Sequence, residues 1–381
     1  MPPTIDLVDS PAGLRAALRP VDAPVVGVDV ERADSHRYYR TPALIQVGVD
    51  GHCVLIDTVT VTDCRELDRF LADRDVILHA LENDLVPLGV VGVRPPRPHD
   101  TAVAAAVLGL PTGLSPLLAE VLEIELTADK ERFQRADWEA RPLTNDMAAY
   151  AAGDVVHLPA LWARLRADLQ TAGRTAWYEQ ELAATISTAT EDNRHWERTR
   201  GAGRLSPRGR AVLAALWTER EALAKQDDVA PQRIVHDDTL VSLAHEPPAT
   251  SQQLVTRTEG RRRRHIRPYA ERLAAAALRG QQDPPQERDP DRPRWEDRDR
   301  DAYDAMRRAR SRVAKDIGLD AGVLCPSRQL KTAVSARPTD AATLCAEAGL
   351  RPWQIELLAE PLWEAYANAY SGDPGSGPSD D

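Results

Sequence analysis

Asp29 and Glu31 stand one residue apart in VVGVDVE, Asp84 follows in HALENDL, and Tyr150 and Asp154 lie four apart in YAAGD. Carboxylate oxygens with no cysteine or clustered histidine nearby are hard ligands, which suit Mg²⁺ or Mn²⁺ rather than Zn²⁺. Two such ions about 3.5–4 Å apart support in-line displacement at phosphorus, by activating a water and stabilising the leaving oxygen. A phenol with an ordinary pKa near ~10 is a poor base at neutral pH, so Tyr150 suits the task of orienting that water. Each piece alone has a plainer reading. Asp29 and Glu31 could end a strand in solvent, Asp84 could complement a helix dipole, and Tyr150 with Asp154 could be a surface pair. The ordered set is what points to chemistry.

The elements that must position these groups follow from periodicity. In a buried strand the side chains alternate, so Val26, Val28 and Val30 take one face while Val25, Gly27, Asp29 and Glu31 take the other. Two like charges about 5 Å apart repel by ~3 kcal/mol at an effective dielectric of 20, so something positive should sit beside them. Residues 25–30, 43–49 and 53–58 read as strands, the last two joined by a hairpin at Asp50-Gly51. A helix over 62–73 and a strand over 76–81 follow, with Asp84 on the first turn of the next helix. One long helix over about 144–169 carries Tyr150 and Asp154 on a shared face, and Gly153 between them marks a turn that something approaches closely.

The chain has 381 residues and a formal net charge of -11, which first argues against a nucleic-acid partner. The charge is unevenly distributed. Residues 1–150 hold 24 acidic and 14 basic side chains, whereas residues 201–350 hold 22 acidic and 27 basic ones. Arg261, Arg262, Arg263, Arg264 and Arg267 concentrate positive charge and are candidates for phosphate contact. Composition and pattern divide the chain into a mixed α/β domain over 1–182 and a connecting segment over 183–204. A helical unit over 205–282, a charged Pro-rich linker over 283–301, a second helical unit over 302–370 and a disordered tail over 371–381 follow. No apolar run is long enough to span a membrane, and Cys53, Cys64, Cys325 and Cys345 form neither a disulfide framework nor a CxxC pair, so a reducing, cytoplasmic setting is expected.

These motifs, with the intervening YYRTPALIQVG, PHDTAVAAAVLGL and DWEARPLTNDMAAYAAGDVVHL, resemble ribonuclease D, in the tyrosine-bearing branch of the 3′ to 5′ exonuclease superfamily with four acidic residues. The stretch LWTEREALAKQDDVAPQRIVHDDTLVSLA resembles the helical domain shared by RecQ-type helicases and ribonuclease D (HRDC), and 302–370 resembles a weaker second copy. The resemblance implies an α/β ribonuclease H-like exonuclease domain, a mixed sheet with flanking helices, followed by two small all-α domains. It implies that Asp29, Glu31, Asp84 and Asp154 hold two divalent ions, Mg²⁺ or Mn²⁺, and that Tyr150 positions the attacking water. It further implies hydrolysis of RNA from a free single-stranded 3′ end, releasing nucleoside 5′-monophosphates, with tRNA precursors as substrate and no obligate protein partner. Arg32 departs from the family, many of whose members carry an aromatic or small residue there. A DNA exonuclease and a non-catalytic RNA-binding platform are the alternatives. His157, His79 and His99 read as structural, Asp100 as a helix cap, and Trp138 as core, with Arg141 and Pro142 bordering the substrate path.

Overall fold

The computed structural model describes residues 3–32, 36–126, 130–133, 136–189, 194–258, 265–286 and 295–371. Six strands build one sheet: β1 (Thr4–Val8), β2 (Val25–Arg32), β3 (Pro42–Val49), β4 (His52–Asp57), β5 (Asp75–Leu78) and β6 (Pro98–Asp100), in the order β1-β4-β3-β2-β5-β6. The sheet is mixed, because β2, β3 and β4 are antiparallel neighbours while β1, β5 and β6 add in parallel. The sequence pattern misses β1 and β6. Both are edge strands, one with only Val8 fully buried and the other three residues long, so neither leaves a readable alternation.

Helices cover both faces. Val26, Val28, Val30, Ile45 and Val47 form one core with α1 (Pro11–Leu18), α2 (Arg65–Leu71) and α3 (Leu85–Val90). The opposite face packs Leu44, Leu55 and Ile77 against α4 (Thr101–Leu108), α5 (Leu114–Leu122), α6 (Lys130–Phe133), α7 (Asn145–Val156), α8 (Leu158–Thr171) and α9 (Thr175–Ala189). Side-chain alternation in β2 therefore sorts Val26, Val28 and Val30 into one core and its acids, with Val25, toward the other.

The expected single helix over 144–169 is two helices that meet at His157. Pro159, in the first turn of α8, has no N–H to offer the carbonyl of Val155, so the helix cannot continue through it. That carbonyl instead lies against β2. A Cβ on Gly27 would fall 2.3 Å from the Val155 oxygen, and one on Gly48 2.6 Å from the Val155 carbonyl carbon. The close approach inferred for Gly153 thus occurs at these two strand glycines, since a Cβ at Gly153 would meet only Leu126, at 3.9 Å. Gly48→Ala should lower stability by about 1–3 kcal/mol through overpacking and pull α7 off the sheet. Urea unfolding checks the first part, and an unchanged midpoint would count against the close-packed seam.

Beyond α9, which runs to Ala189 and so into the expected connecting segment, every regular element among the described residues is helical. The first unit contains α10 (Pro207–Asp227), α11 (Pro231–Ile234), α12 (Asp237–His245), α13 (Ser251–Arg257) and α14 (Ala270–Gln282). The second contains α15 (Asp297–Asp316), α16 (Ala321–Leu324), α17 (Ser327–Ala336), α18 (Ala341–Glu347) and α19 (Pro352–Ser371). Helix α15 begins inside the expected linker, because Glu296 and Asp299 form a capping box at its N-terminus. Trp295 also packs on this unit's core. Of the expected tail over 371–381, Ser371 ends α19 and the rest lies outside the described residues.

The first four helices of each unit start 90 residues apart: Pro207 and Asp297, Pro231 and Ala321, Asp237 and Ser327, Ser251 and Ala341. A buried arginine repeats at the same interval. Arg220 donates to the Val235 carbonyl (3.2 Å) and to Asp237 (2.6 Å), while Arg310 donates to the Cys325 carbonyl (2.8 Å) and to the Ser327 hydroxyl (3.2 Å).

Both units dock on the α/β domain. In the first, Asp228 accepts hydrogen bonds from the Arg37 guanidinium and from the Tyr38 and Tyr39 amides, and the Tyr38 ring enters the unit's core. In the second, Glu181 of α9 accepts from Arg351 and from Trp353 Nε1, and Trp353 stacks on Trp177 at 4.7 Å. Arg174 donates to the Ile317 carbonyl, and the adjoining Gly318 carbonyl lies against Gly109.

Candidate active site

Asp29 and Glu31 emerge on the α7 side of β2, and the Val155 seam brings Asp154 over them. One carboxylate oxygen from each of Asp29, Glu31 and Asp154 lies within 4.8 Å of the others. Burial raises the Asp29 pKa above the ordinary carboxylate range. Burial, reinforced by Asp29 and Asp154, pushes Glu31 up to about 9. The positive group expected beside them is Arg32, whose charge favours ionisation of Asp29, Glu31 and Asp84, and whose guanidinium donates to the Asn83 carbonyl at 2.9 Å.

Asp84 arrives from a different part of the sheet. After β5 the chain turns through Ala80, at φ 61°, into a short 3₁₀ turn over Leu81–Asn83 that leads into α3. Asp100 fixes that turn. Its carboxylate accepts from the Ala80 and Leu81 amides (3.1 and 2.8 Å) as well as capping α4 through the Ala102 and Val103 amides (2.7 and 3.2 Å). The capping expected of Asp100 is present, with a clamp on the Asp84 turn added. Asp84 itself is 3% exposed, caps nothing with its side chain, and has an Oδ2 without a hydrogen-bond partner. Burial and then Asp29 raise its pKa well above the usual value.

Tyr150 is hydrogen-bonded to Asp154, the pair that the four-residue spacing places on one helix face. Burial, and next the Asp154 charge, push its pKa far above the ordinary tyrosine value. Phe133 stacks on its ring at 5.0 Å and Trp138 lies at 6.1 Å, so the buried Trp138 forms the wall behind Tyr150. Arg141 does not border the site as a free cation. It pairs with the buried Asp57 at 2.5 Å and donates to the Ala43 carbonyl at 3.0 Å, ahead of a cis peptide bond to Pro142.

His79 hydrogen-bonds Thr101 at 2.9 Å, His99 stacks on Trp162 at 4.5 Å, and His157 sits at the α7–α8 break. All three have structural settings. One residue escaped sequence reasoning. Gln46, directly opposite Asp29 in the β2–β3 register, is fully buried, and neither its amide nitrogen nor its oxygen has a partner. The available signal was an amide within the otherwise apolar run ALIQVGV. Of the basic candidates, Arg267 is exposed in a 3₁₀ turn, and Arg261, Arg262, Arg263 and Arg264 lie outside the described residues.

A divalent cation fits the donors present: hard oxygens only, a buried carboxylate atom with no partner, and acids whose burial disfavours ionisation without a counter-charge.

Residues 6–170 match the family model of the 3′-5′ exonuclease, residues 209–276 that of the HRDC domain, and residues 289–366 that of a 3′ to 5′ exonuclease C-terminal domain. The fold and site thus define an exonuclease-type α/β domain with helical HRDC-type domains behind it. The chain is 31% identical over 263 residues to ribonuclease D of Nitrobacter hamburgensis, spanning 66% of this chain and 68% of that protein. It is 32% identical over 300 residues to ribonuclease D of Jannaschia sp., spanning 74% of each. The solved structure of Escherichia coli RNase D, an exoribonuclease involved in structured RNA processing, superposes with a TM-score of 0.78 at 25% identity, over 96% of this chain and 99% of that one. The chain belongs to the ribonuclease D family.

Proposed function

We propose that this protein is a metal-dependent 3′ to 5′ exoribonuclease that releases nucleoside 5′-monophosphates from RNA with a single-stranded 3′ end. The observation that carries this reading is the convergence of Asp29, Glu31 and Asp154, with Tyr150 held on Asp154, in a chain of the ribonuclease D family. Structured RNAs are the expected substrates, tRNA precursors among them, acted on without an obligate protein partner. Four buried, free cysteines suit a reducing cytoplasm. No helix among the described residues is long and apolar enough to cross a membrane.

In this reading Asp29, Glu31, Asp84 and Asp154 hold two divalent ions, Mg²⁺ or Mn²⁺, whose charge would ionise the buried acids and polarise the scissile phosphodiester. Tyr150 stays protonated throughout the working pH range, because burial and Asp154 raise its pKa. Its phenol therefore orients a water by hydrogen bonding instead of removing a proton. Gln46 keeps a buried, unpartnered amide at the strand position opposite Asp29, a donor available to that carboxylate once a metal ionises it. Arg32 tempers the negative potential that an incoming phosphate meets.

The test uses 5′-labelled RNA and DNA with 3′ overhangs, incubated with Mg²⁺ or Mn²⁺ and with a chelator. A ladder shortened from the 3′ end of RNA, and lost with chelator, is expected. Equal or faster shortening of DNA would favour a DNA exonuclease, and degradation that persists in chelator would overturn the metal-dependent reading. Tyr150→Phe should slow turnover by on the order of 10²-fold while leaving the metal-induced rise in melting temperature intact. Parent-like turnover in that variant would remove the phenol from the mechanism.

A further inference from the structure

Of the two Phe, eight Trp and eight Tyr side chains, only Tyr39 is exposed, at 48%. A ring left in water forgoes the stabilisation of burial, and this chain buries its other aromatics wholly or in part. The neighbouring Tyr38 is 9% exposed and packs in the first helical unit, edge-on to Tyr39 with ring centroids 5.2 Å apart. Two successive tyrosines are therefore divided, one as an anchor and one as an open face.

The backbone under Tyr39 is fixed from three sides. The Tyr38 and Tyr39 amides donate to Asp228 Oδ1 at 3.2 and 3.1 Å, and the Tyr39 carbonyl accepts from the Thr41 amide at 2.8 Å. Arg37 bridges Asp228 and Glu139, at 2.8 Å to each. An exposed ring on so constrained a loop is preorganised for contact, which lowers the entropy lost on binding.

Its location is specific. The loop leaves the end of β2, which supplies Asp29 and Glu31, and returns at Pro42, the register partner of Arg32. Tyr39 precedes Pro42 by three residues, a reach of at most about 11 Å. It lies at the seam between the acidic site and the first helical unit, where exposed cations gather. Arg40 is the next residue and has no ion pair among the described residues, and Lys225 Nζ and the Arg194 guanidinium lie 5.7 and 4.6 Å from the Tyr38 ring centre. An open aromatic face followed by the exposed Arg40, with Lys225 and Arg194 held on the adjoining Tyr38 ring, suits a nucleobase with its phosphates better than it suits an apolar protein surface.

We infer that Tyr39 is a stacking platform for a base upstream of the 3′-terminal nucleotide, with Arg40 and Lys225 facing the adjoining phosphates. The inference rests on the exoribonuclease reading and adds the path by which the RNA strand leaves the acidic site toward the first helical unit.

The test compares the parent chain, Tyr39→Ala and Tyr39→Phe on two substrates. One is a labelled RNA with a single-stranded 3′ tail. The other is the p-nitrophenyl ester of uridine 5′-monophosphate, which carries no upstream base. Tyr39→Ala should raise KM for the tailed RNA about tenfold with little change in kcat, and its loss of kcat/KM on RNA should exceed that on the ester by the same factor. Tyr39→Phe should restore most of the difference, since stacking needs the ring and not the hydroxyl. Equal losses on both substrates, or an unchanged KM in Tyr39→Ala, would overturn the inference while the exoribonuclease reading stands. A parent chain that turns over neither substrate would overturn both.

Discussion

Asp154→Ala should shorten a 3′-tailed RNA on the order of 10³-fold more slowly than the parent chain, yet the metal-free variant should melt at a higher temperature. The two effects have one cause. Asp154 is brought within 4.8 Å of Asp29 and Glu31 by the seam at Val155, and its charge is among the causes that raise the Glu31 pKa. Removing it relieves like-charge repulsion in the resting protein and, under the proposed mechanism, takes an oxygen ligand away from the metal. Single-turnover shortening and a thermal melt in chelator measure the two separately. A slow variant that is also less stable would mean that Asp154 holds the fold together, and a fast one would exclude it from the chemistry.

The second large effect is a linkage between pH and metal. Asp29 and Asp84 have raised pKa values, and Glu31 is raised from 4.5 to about 9. An acid with a raised folded-state value binds more protons when folded than when unfolded, so unfolding free energy falls as pH rises between the two values. For Glu31 that window runs from near 4.5 to about 9. The metal-free protein should therefore lose stability steadily from pH 5 to pH 9. Adding Mg²⁺ or Mn²⁺ should reverse the loss, with a larger gain at pH 8.5 than at pH 6, where protons still compete. At a metal concentration 100 times Kd the gain would be about 2.7 kcal/mol. Melting curves with and without metal at both pH values provide the check. A gain that shrinks as pH rises would contradict ionised carboxylates as ligands.

Much of this site could be read from periodicity alone. Alternation in VVGVDVE correctly separates Val26, Val28 and Val30 from the acids, and the four-residue spacing correctly pairs Tyr150 with Asp154. Both are local relations fixed by strand and helix geometry. What was not legible depends on distant partners. Nothing near Pro159 reveals that the carbonyl it strands will rest on Gly27, so the helix read as continuous. Nothing near Asp100 reveals that it holds the turn leading to Asp84 besides capping its own helix. Gln46 reads as a tolerated polar residue until the register sets it opposite Asp29. The Pro-rich, charged composition of 283–301 hid a helix start, because Glu296 and Asp299 serve as caps there and not merely as solvated charge.

The constant interval between the two helical units also extends to how they dock. An unbroken spacing across four successive helix starts and a buried arginine gives the two units one helical framework, although residues 209–276 and 289–366 match different family models. The correspondence reaches beyond their interior. Asp228 and Gly318, 90 residues apart, occupy the same corner beyond the long first helix of each unit. Each corner meets the catalytic domain beside an arginine of that domain, Arg37 at one and Arg174 at the other. Equivalent corners of the two units thus hold two different patches of a single neighbour, so the α/β domain is gripped at two separate points by one geometry.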